Sequence, residues 1–559
     1  MPNLDTPELV FLPLGGCGEI GMNLNAYGYG PPDERRWILV DLGVTFGDAS
    51  TPGIDLICAD PEFITNYADQ IDAIFLTHAH EDHIGAVALL WPRLRAPLYA
   101  TPFTAHLVAG KLAERGLSHV DVNVVPLEGT VEAGPFKVTY MTLTHSIPEP
   151  NALAIETPAG TVLHTGDWKI DPDPLIGDGV DIDGLKRLGD KGVLAMVCDS
   201  TNVFVEGESG SEATVRNNLI KLIGELKGRV AVATFASNVA RVATVIEAAR
   251  RAGRSVCLAG RSMHKIVDAA VFTGVLQGLP DLVDESDAGS FPADKILFLC
   301  TGSQGESRAA LGRIAHETHR HISLGAGDTV IFSSRVIPGN EKEIFDLQNA
   351  LAEKGVRIIT DRMSKEPIHV SGHPARNELE RMYQWVRPQI AVPVHGERRH
   401  IMEHASFARS LQVQQAVTPR NGDLIRLAPG KAETVDVVPN GRLHLDGNRL
   451  VPAGSEGLQE RVAISKYGYV TASVAIDEAG GIADGPFVNA RGLSEEDGSL
   501  ADVSLDGIEQ ACEEAMDGLS RRKRLDDDVV EAVLVRAVRR SCESLFGRKP
   551  LVDVTVLRV

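Results

Sequence analysis

The stretch Thr77-His78-Ala79-His80-Glu81-Asp82-His83 constrains this chain more than any other. Its residues 78–83 hold three histidines and an aspartate. Residues 72–76 read as a short buried strand, and residues 84–91 carry apolar side chains at helical spacing. The ligand-rich segment therefore lies on a strand-to-helix loop. His78 and His80, two apart in extended chain, point the same way and suit one ion. Asp82 and His83, at the helix start, point toward a second. Imidazole nitrogen and carboxylate oxygen together suit zinc or manganese.

Further polar residues fall where other apolar runs stop. The first run ends at Gly15-Gly16, the second (37–40) at Asp41, the run 138–143 at His145, the pair 152–156 and 161–164 at Gly166-Asp167, and the run 193–197 at Asp199. A sheet sandwich presents a site along one edge in this manner. His145 completes the first ion's set with His78 and His80. Asp167 bridges both ions. Asp41 accepts an imidazole N–H and so fixes a tautomer. Asp48 and Asp55 read as ordinary loop aspartates.

Composition bounds the rest. A chain of 559 residues holds several domains, and it shows no apolar run long enough to span a membrane. Its start lacks a basic stretch followed by an apolar core, so no secretory signal is expected. The seven cysteines are scattered without CxxC spacing and suit free thiols of a reducing cytoplasm. A formal charge of −21 argues against coating by nucleic acid but leaves room for a local basic cleft.

From about residue 211 strands alternate with helices, which implies a parallel sheet covered on its faces. The strands end at Ser237-Asn238, Gly260-Arg261, Thr301-Gly302-Ser303-Gln304-Gly305-Glu306, and Ser334-Arg335 followed by residues 336–340. Ligands favour the carboxyl ends of such strands. A second dense stretch, His369-Val370-Ser371-Gly372-His373, precedes a helix, and a later strand ends at His395. Arg376, Arg381, Arg387, Arg398, Arg399 and His400 make this the most basic region of an acidic chain.

Together these residues resemble one family. The His-Ala-His-Glu-Asp-His loop with His145, Asp167 and Asp41 is similar to the motifs of the metallo-β-lactamase fold. Asp199, His373 and His395 resemble the three added motifs of the β-CASP nucleases. Thr-Gly-Ser-Gln-Gly-Glu, Ile-Pro-Gly-Asn, His-Val-Ser-Gly-His and Pro-Val-His-Gly-Glu are similar to bacterial ribonuclease J. The motifs keep their order over about residues 8–450. Ser303 and Pro374 depart from the pattern without touching an expected ligand.

The resemblance implies an α/β metallo-β-lactamase αββα sandwich with an inserted β-CASP α/β domain and a small C-terminal α+β domain. The sandwich would comprise residues 1–212 and 374–448, the insert 213–373, a linker 449–459, and a dimerisation-type domain 460–559. In that last unit residues 461–466, 469–476 and 485–490 read as strands and 504–519 and 527–545 as helices, with residues 551–557 as a final strand. The run Arg521-Arg522-Lys523-Arg524 reads as a locally neutralised helix junction.

His78, His80 and His145 would hold one divalent ion and Asp82, His83 and His395 the other, with Asp167 between, zinc being expected ahead of manganese. Asp199, His373 and Asp82 would serve catalysis. His373 neutralises the phosphate, and Asp199 orients it or moves a proton. His369, Val370, Ser371, Gly372 and His373, faced by Ser237, Asn238, Ser334 and Arg335, would bind substrate. Gly372 would let backbone N–H groups cradle a 5′-monophosphate. The implied activity is 5′→3′ exonuclease and endonuclease cleavage of single-stranded RNA in rRNA maturation and mRNA decay. The implied setting is a cytoplasmic homodimer or homotetramer with RNA-decay protein partners. A hydrolase of small esters or thioesters shares the loop but needs no insert. A non-catalytic RNA-binding scaffold would lack the seven ligands.

Overall fold

The computed structural model describes residues 6–337, 339–494 and 502–559, the side chains of 502–504 excepted. The first five residues, which carry part of the expected signal-free start, and Pro338 of the Ile-Pro-Gly-Asn motif lie outside the described residues. The chain divides into two compact units, Met1–Thr45 with Cys58–Arg442 and Phe46–Ile57 with Leu443–Val559.

Two sheets face each other in the first unit. One has eight strands, including Glu8–Gly15, Leu24–Gly30, Arg36–Val40, Ile71–Phe75 and Leu98–Ala100. The other has seven, including Phe136–Thr142, Asn151–Thr157, Gly160–His164, Ala195–Asp199 and Ile390–Val394. Side chains alternate between faces along a strand, and the core shows it. Phe11, Val40 and Phe75 of the first sheet pack with Val138, Ile155, Val197 and Val392 of the second. The intervening Met196, Cys198 and Ala391 turn outward onto Leu185, Leu379, Met382 and Ala408 of covering helices. Buried on both faces, these strands read as continuous apolar runs rather than as alternation.

Each sheet is antiparallel on one side and parallel on the other. Arg36–Val40, Ile71–Phe75 and Leu98–Ala100 run parallel, as do Gly160–His164, Ala195–Asp199 and Ile390–Val394. Asp199 closes one of these strands, and the segments that follow the others carry Asp41, His78, Asp167 and His395.

Between Ala195–Asp199 and its neighbour Ile390–Val394 the chain makes a long excursion. It builds a five-stranded, all-parallel sheet with Val230–Ala233 at its centre. Helices Val239–Arg251, Arg261–Phe272 and Glu341–Glu353 accompany it. Where the excursion begins, Ser211 caps helix Glu212–Glu225 through Ala213 N–H. The Arg241 guanidinium, fully buried, grips the Glu212 carboxylate at 2.9 Å and also donates to Ser333 Oγ.

In the second unit, strand Tyr469–Ile476 pairs antiparallel with Ile482–Arg491 and parallel with Leu551–Arg558. Val470, Ala472, Val474 and Ile476 face one way at period two. They meet Ile508, Cys512 and Met516, and Val530, Leu534, Val538 and Cys542, each set spaced by four on its helix.

Residues 461–466 are not a strand. They belong to helix Glu456–Tyr467, which Gly468 ends at φ 81° while its N–H bonds to Ile464 O. The short run Arg-Val-Ala-Ile-Ser-Lys imitates alternation, and the end signals outweigh it. The expected linker 449–459 likewise contains structure: its Arg449–Pro452 pairs with Arg442–Asp446 just before it, and helix Glu456–Tyr467 starts within it.

Candidate metal centre

Every histidine named for the two ions presents one ring nitrogen to a common space and gives the other to a fixed partner. His78 Nδ1 stands 3.0 Å from Thr77 Oγ1, whose own proton goes to Asp41 Oδ2 at 2.9 Å. His83 Nδ1 donates to Asp41 Oδ2 at 2.7 Å. His145 Nδ1 donates to the carbonyl of Gly372. His80 Nε2 meets Ser237 Oγ at 3.1 Å, and His395 Nδ1 meets the Asn23 amide at 2.9–3.1 Å. Such partners fix the tautomer and aim the remaining lone pair. Asp41 serves two of the five, from a left-handed backbone at φ 63°.

The inward nitrogens form two groups. His80 Nδ1 lies 3.1 Å from both His78 Nε2 and His145 Nε2. Asp82, His83 and His395 gather on the other side, with Asp82 Oδ2 3.6 Å from His83 Nε2 and 3.7 Å from His395 Nε2. Asp167 joins both groups. Its Oδ2 is 3.9 Å from His78 Nε2, 3.8 Å from His145 Nε2, 3.2 Å from His83 Nε2 and 3.4 Å from His395 Nε2.

These donors fit divalent ions. Asp167 Oδ1 and His395 Nε2 are buried without a hydrogen-bond partner among the described residues. An unpaired buried polar atom is costly unless something binds it. Burial holds His78 and His145 well below the ordinary histidine range and His80 at about 4, so their imidazoles stay neutral, as ligands must be.

His373 and Asp199 adjoin the cluster. His373 Nδ1 donates to Asp199 Oδ2 at 2.8 Å and lies 3.9 Å from Asp167 Oδ2. Burial opposes the charge on His373, yet Asp199, with help from Asp167 and Asp82, raises it to about 9. The ring is therefore a cation at neutral pH.

The residues named for substrate divide. Ser371 Oγ accepts from Asn202 Nδ2 at 2.8 Å and from His373 N at 3.2 Å, which leaves its own proton to donate. Arg335 is exposed, is held by Asn202 Oδ1 at 2.9 Å, and has no acidic partner among the described residues. Burial and then the charges of Arg241, Arg335 and Lys169 keep His369 neutral beside them. Val370 packs against Gly210, and the Ser334 side chain is buried.

Three of the residues named for substrate have other partners in the fold. Asn238 is not a free donor, because its Oδ1 caps Arg241 N at 2.9 Å and its Nδ2 reaches Glu212 at 3.1 Å. Ser237 turns to His80 rather than to a separate phosphate pocket. Gly372 is required because a Cβ there would sit 2.7 Å from the His145 ring and 2.8 Å from Ser146 Oγ, so its smallness serves the ligand.

Four of the five arginines of the basic region are ion-paired. Arg376 pairs with Glu403, Arg381 with Glu208, Arg387 with Asp190 and Arg399 with Glu397, while Arg398 donates to Thr418 O. Asn23, Thr77 and Asn202 contact the candidate site residues, and sequence spacing did not single them out. Each is an ordinary small polar residue whose partner lies elsewhere in the chain or, for Thr77, beside it.

A sandwich with this cluster on its edge, roofed by an inserted parallel sheet, defines a metallo-β-lactamase-fold hydrolase of the β-CASP type. Comparison agrees. Residues 25–191 match the metallo-beta-lactamase superfamily and residues 227–351 the ribonuclease J beta-CASP domain. Residues 361–415 match the Zn-dependent metallo-hydrolase RNA specificity domain, and 457–559 the ribonuclease J C-terminal domain. The chain is 46% identical to ribonuclease J of Sinorhizobium meliloti over 99% of its own length and 98% of the relative's. It is 37% identical to ribonuclease J of Mycobacterium tuberculosis (98% and 96% covered) and 35% to ribonuclease J 1 of Streptococcus pyogenes (99% and 98%). A solved protein of unknown function from Enterococcus faecalis V583 shares the fold at TM-score 0.50 and 16% identity, over 75% of this chain and 100% of that one. The chain belongs to the ribonuclease J family. No helix among the described residues is long and apolar enough to cross a membrane.

Proposed function

We propose that this chain hydrolyses RNA phosphodiesters with two divalent ions, zinc first, and degrades single-stranded RNA from a 5′-monophosphate end in addition to cutting internally. Family membership supports the reaction class. The observation that carries the site assignment is the set of five histidines, each with one nitrogen fixed outward and one turned toward Asp167.

His78, His80 and His145 would hold one ion and Asp82, His83 and His395 the other, with Asp167 shared. When bound, such a pair supplies Lewis acidity and an activated water for in-line displacement at phosphorus. The chain's own residues do the rest. The cationic His373 offsets charge on the phosphoryl oxygens, and Asp199 keeps that ring oriented. Asn202 joins Ser371 to Arg335, so a hydroxyl two residues before His373 stands with a guanidinium that has no carboxylate partner among the described residues. A terminal phosphate carries more negative charge than an internal diester and gains more from charge-assisted bonds there. A 5′-hydroxyl would leave those donors unpaired. None of these contacts reads a nucleobase, so sequence preference should be weak. We assign self-association to the C-terminal unit, as a homodimer or homotetramer.

The test is mononucleotide release from RNAs that differ only at the 5′ end. Monophosphate ends should be digested fastest, and Arg335→Ala should narrow the difference while internal cutting persists. Equal rates on monophosphate, triphosphate and hydroxyl ends would remove the end-binding pocket from this account.

A further inference from the structure

We infer that Asn23 is a positioning residue for the second ion, the one assigned to Asp82, His83 and His395. The inference rests on the two-ion reading above and extends it to a residue outside the ligand set.

Asn23 is 2% exposed and its amide sits among all three ligands. Its Nδ2 donates to the carbonyl of Asp82 at 3.0 Å, and Asp82 O also accepts from Asn23 N at 3.0 Å. The same Nδ2 lies 3.2 Å from His83 Nε2. At His395 Nδ1 the amide nitrogen and oxygen stand at 2.9 and 3.1 Å. The assigned ligand role sets the tautomer. If His395 Nε2 is to meet an ion as a lone pair, its Nδ1 carries the proton, and only Oδ1 of the amide can accept it. His395 Nε2 is then a lone pair, directed at Asp167 Oδ2 and Asp82 Oδ2.

The surrounding backbone is shaped to admit this one side chain. A Cβ on Gly16 would lie 2.4 Å from Asn23 Oδ1, and Gly16 holds φ +85°. The Gly16 carbonyl accepts from His395 N at 2.7 Å, and Gly43 N donates to Asn23 O at 2.8 Å. The glycine turn, the amide and His395 thus form one contact set, although Asn23 and His395 are 372 positions apart. Thr77, Asp41, Ser237 and Gly372 orient the other four rings, and among the described residues Asn23 alone is hydrogen-bonded to the His395 ring. Removing such an orienting partner costs about 10–100-fold in metal affinity.

The experiment measures the two zinc dissociation constants of the full chain by competition with a chromophoric chelator. Wild type, Asn23→Ala and Asn23→Asp are compared, with thermal melting as the control for folding. Asn23→Ala should weaken one constant about 10–100-fold and leave the other within error. Asn23→Asp keeps an acceptor for His395 Nδ1 and should restore most of the loss. A role confined to stability would lower the melting temperature without separating the two constants, and that result overturns the inference. If Asn23→Ala does not fold, Asn23→Asp and Asn23→Ser decide. The affected dissociation constant should rise more for Ser, which reaches less far, than for Asp, and equal values overturn the inference. A wild type that binds fewer than two ions refutes the two-ion reading itself, a separate outcome.

Discussion

Ser237 Oγ, on a strand-end turn of the inserted sheet, stands 3.1 Å from Nε2 of His80, on the ligand loop of the sandwich. His80, which we assign to the first ion, therefore takes its orientation from the inserted sheet. His145 does the same through the carbonyl of Gly372, at the end of the excursion.

Ser237→Ala should weaken the first ion by about tenfold or more and leave the second unchanged, while Ser237→Thr restores it. Because linkage is reciprocal, metal should also stabilise the closed insert. The check is protease protection of the excursion with and without zinc. Equal protection would separate the insert from the metal.

Gly372→Val should impair end-dependent digestion and internal cutting together, because the added carbons press on the His145 ring rather than on an end-binding pocket. Assaying both activities on one labelled RNA decides this. Selective loss of the end-dependent reaction would return Gly372 to the phosphate.

His164 and His404 make stability fall in acid. His164 Nδ1 bonds Tyr27 OH at 2.8 Å, and His404 lies between Ser200 Oγ and Tyr383 OH at 2.9 and 3.0 Å. Burial holds both at about 4, against 6.5 for the ordinary group. Above pH 6.5 neither state binds the proton and stability is full. Between about 6.5 and 4 the unfolded chain takes it up first, and stability drops by up to about 1.4 kcal/mol per pH unit for each histidine. His404→Gln should flatten the fall in urea midpoint between pH 6.5 and 4.5. Parallel curves for the two proteins would contradict the assignment.

Glu212→Gln should destabilise the junction of the insert by about 3–5 kcal/mol. It leaves the buried Arg241 charge without its carboxylate. Replacing both partners with apolar residues of similar volume should cost less. Melting temperatures of the single and double variants measure the difference, and an equal loss would mean that the pair itself contributes the stability.

The metal-binding loop is legible as a candidate because four potential ligands sit on one short segment, so their convergence needs no knowledge of the fold. His145 and Asp167 were legible as polar residues at strand ends. The groups that orient them were not. Asn23 meets His395 across 372 positions and Ser237 meets His80 across 157, and no local pattern encodes such contacts. The same distance hid the neutralisation of Arg387 by Asp190, 197 positions away, which turned an apparent basic patch into an ordinary ion-paired face. Residues 461–466 misled for the opposite reason, since six residues are too few to separate period two from a helical period.

The most direct test of the central claim is RNA hydrolysis by His80→Ala after chelation and zinc add-back, beside wild type treated alike. The loop lies at a sheet edge, so the variant should stay folded. Loss of an orienting partner already costs about 10–100-fold in metal affinity or activity, so loss of a ligand should lower the cleavage rate by more than about a hundredfold. Cleavage at the wild-type rate would show that this cluster is not where the RNA is cut.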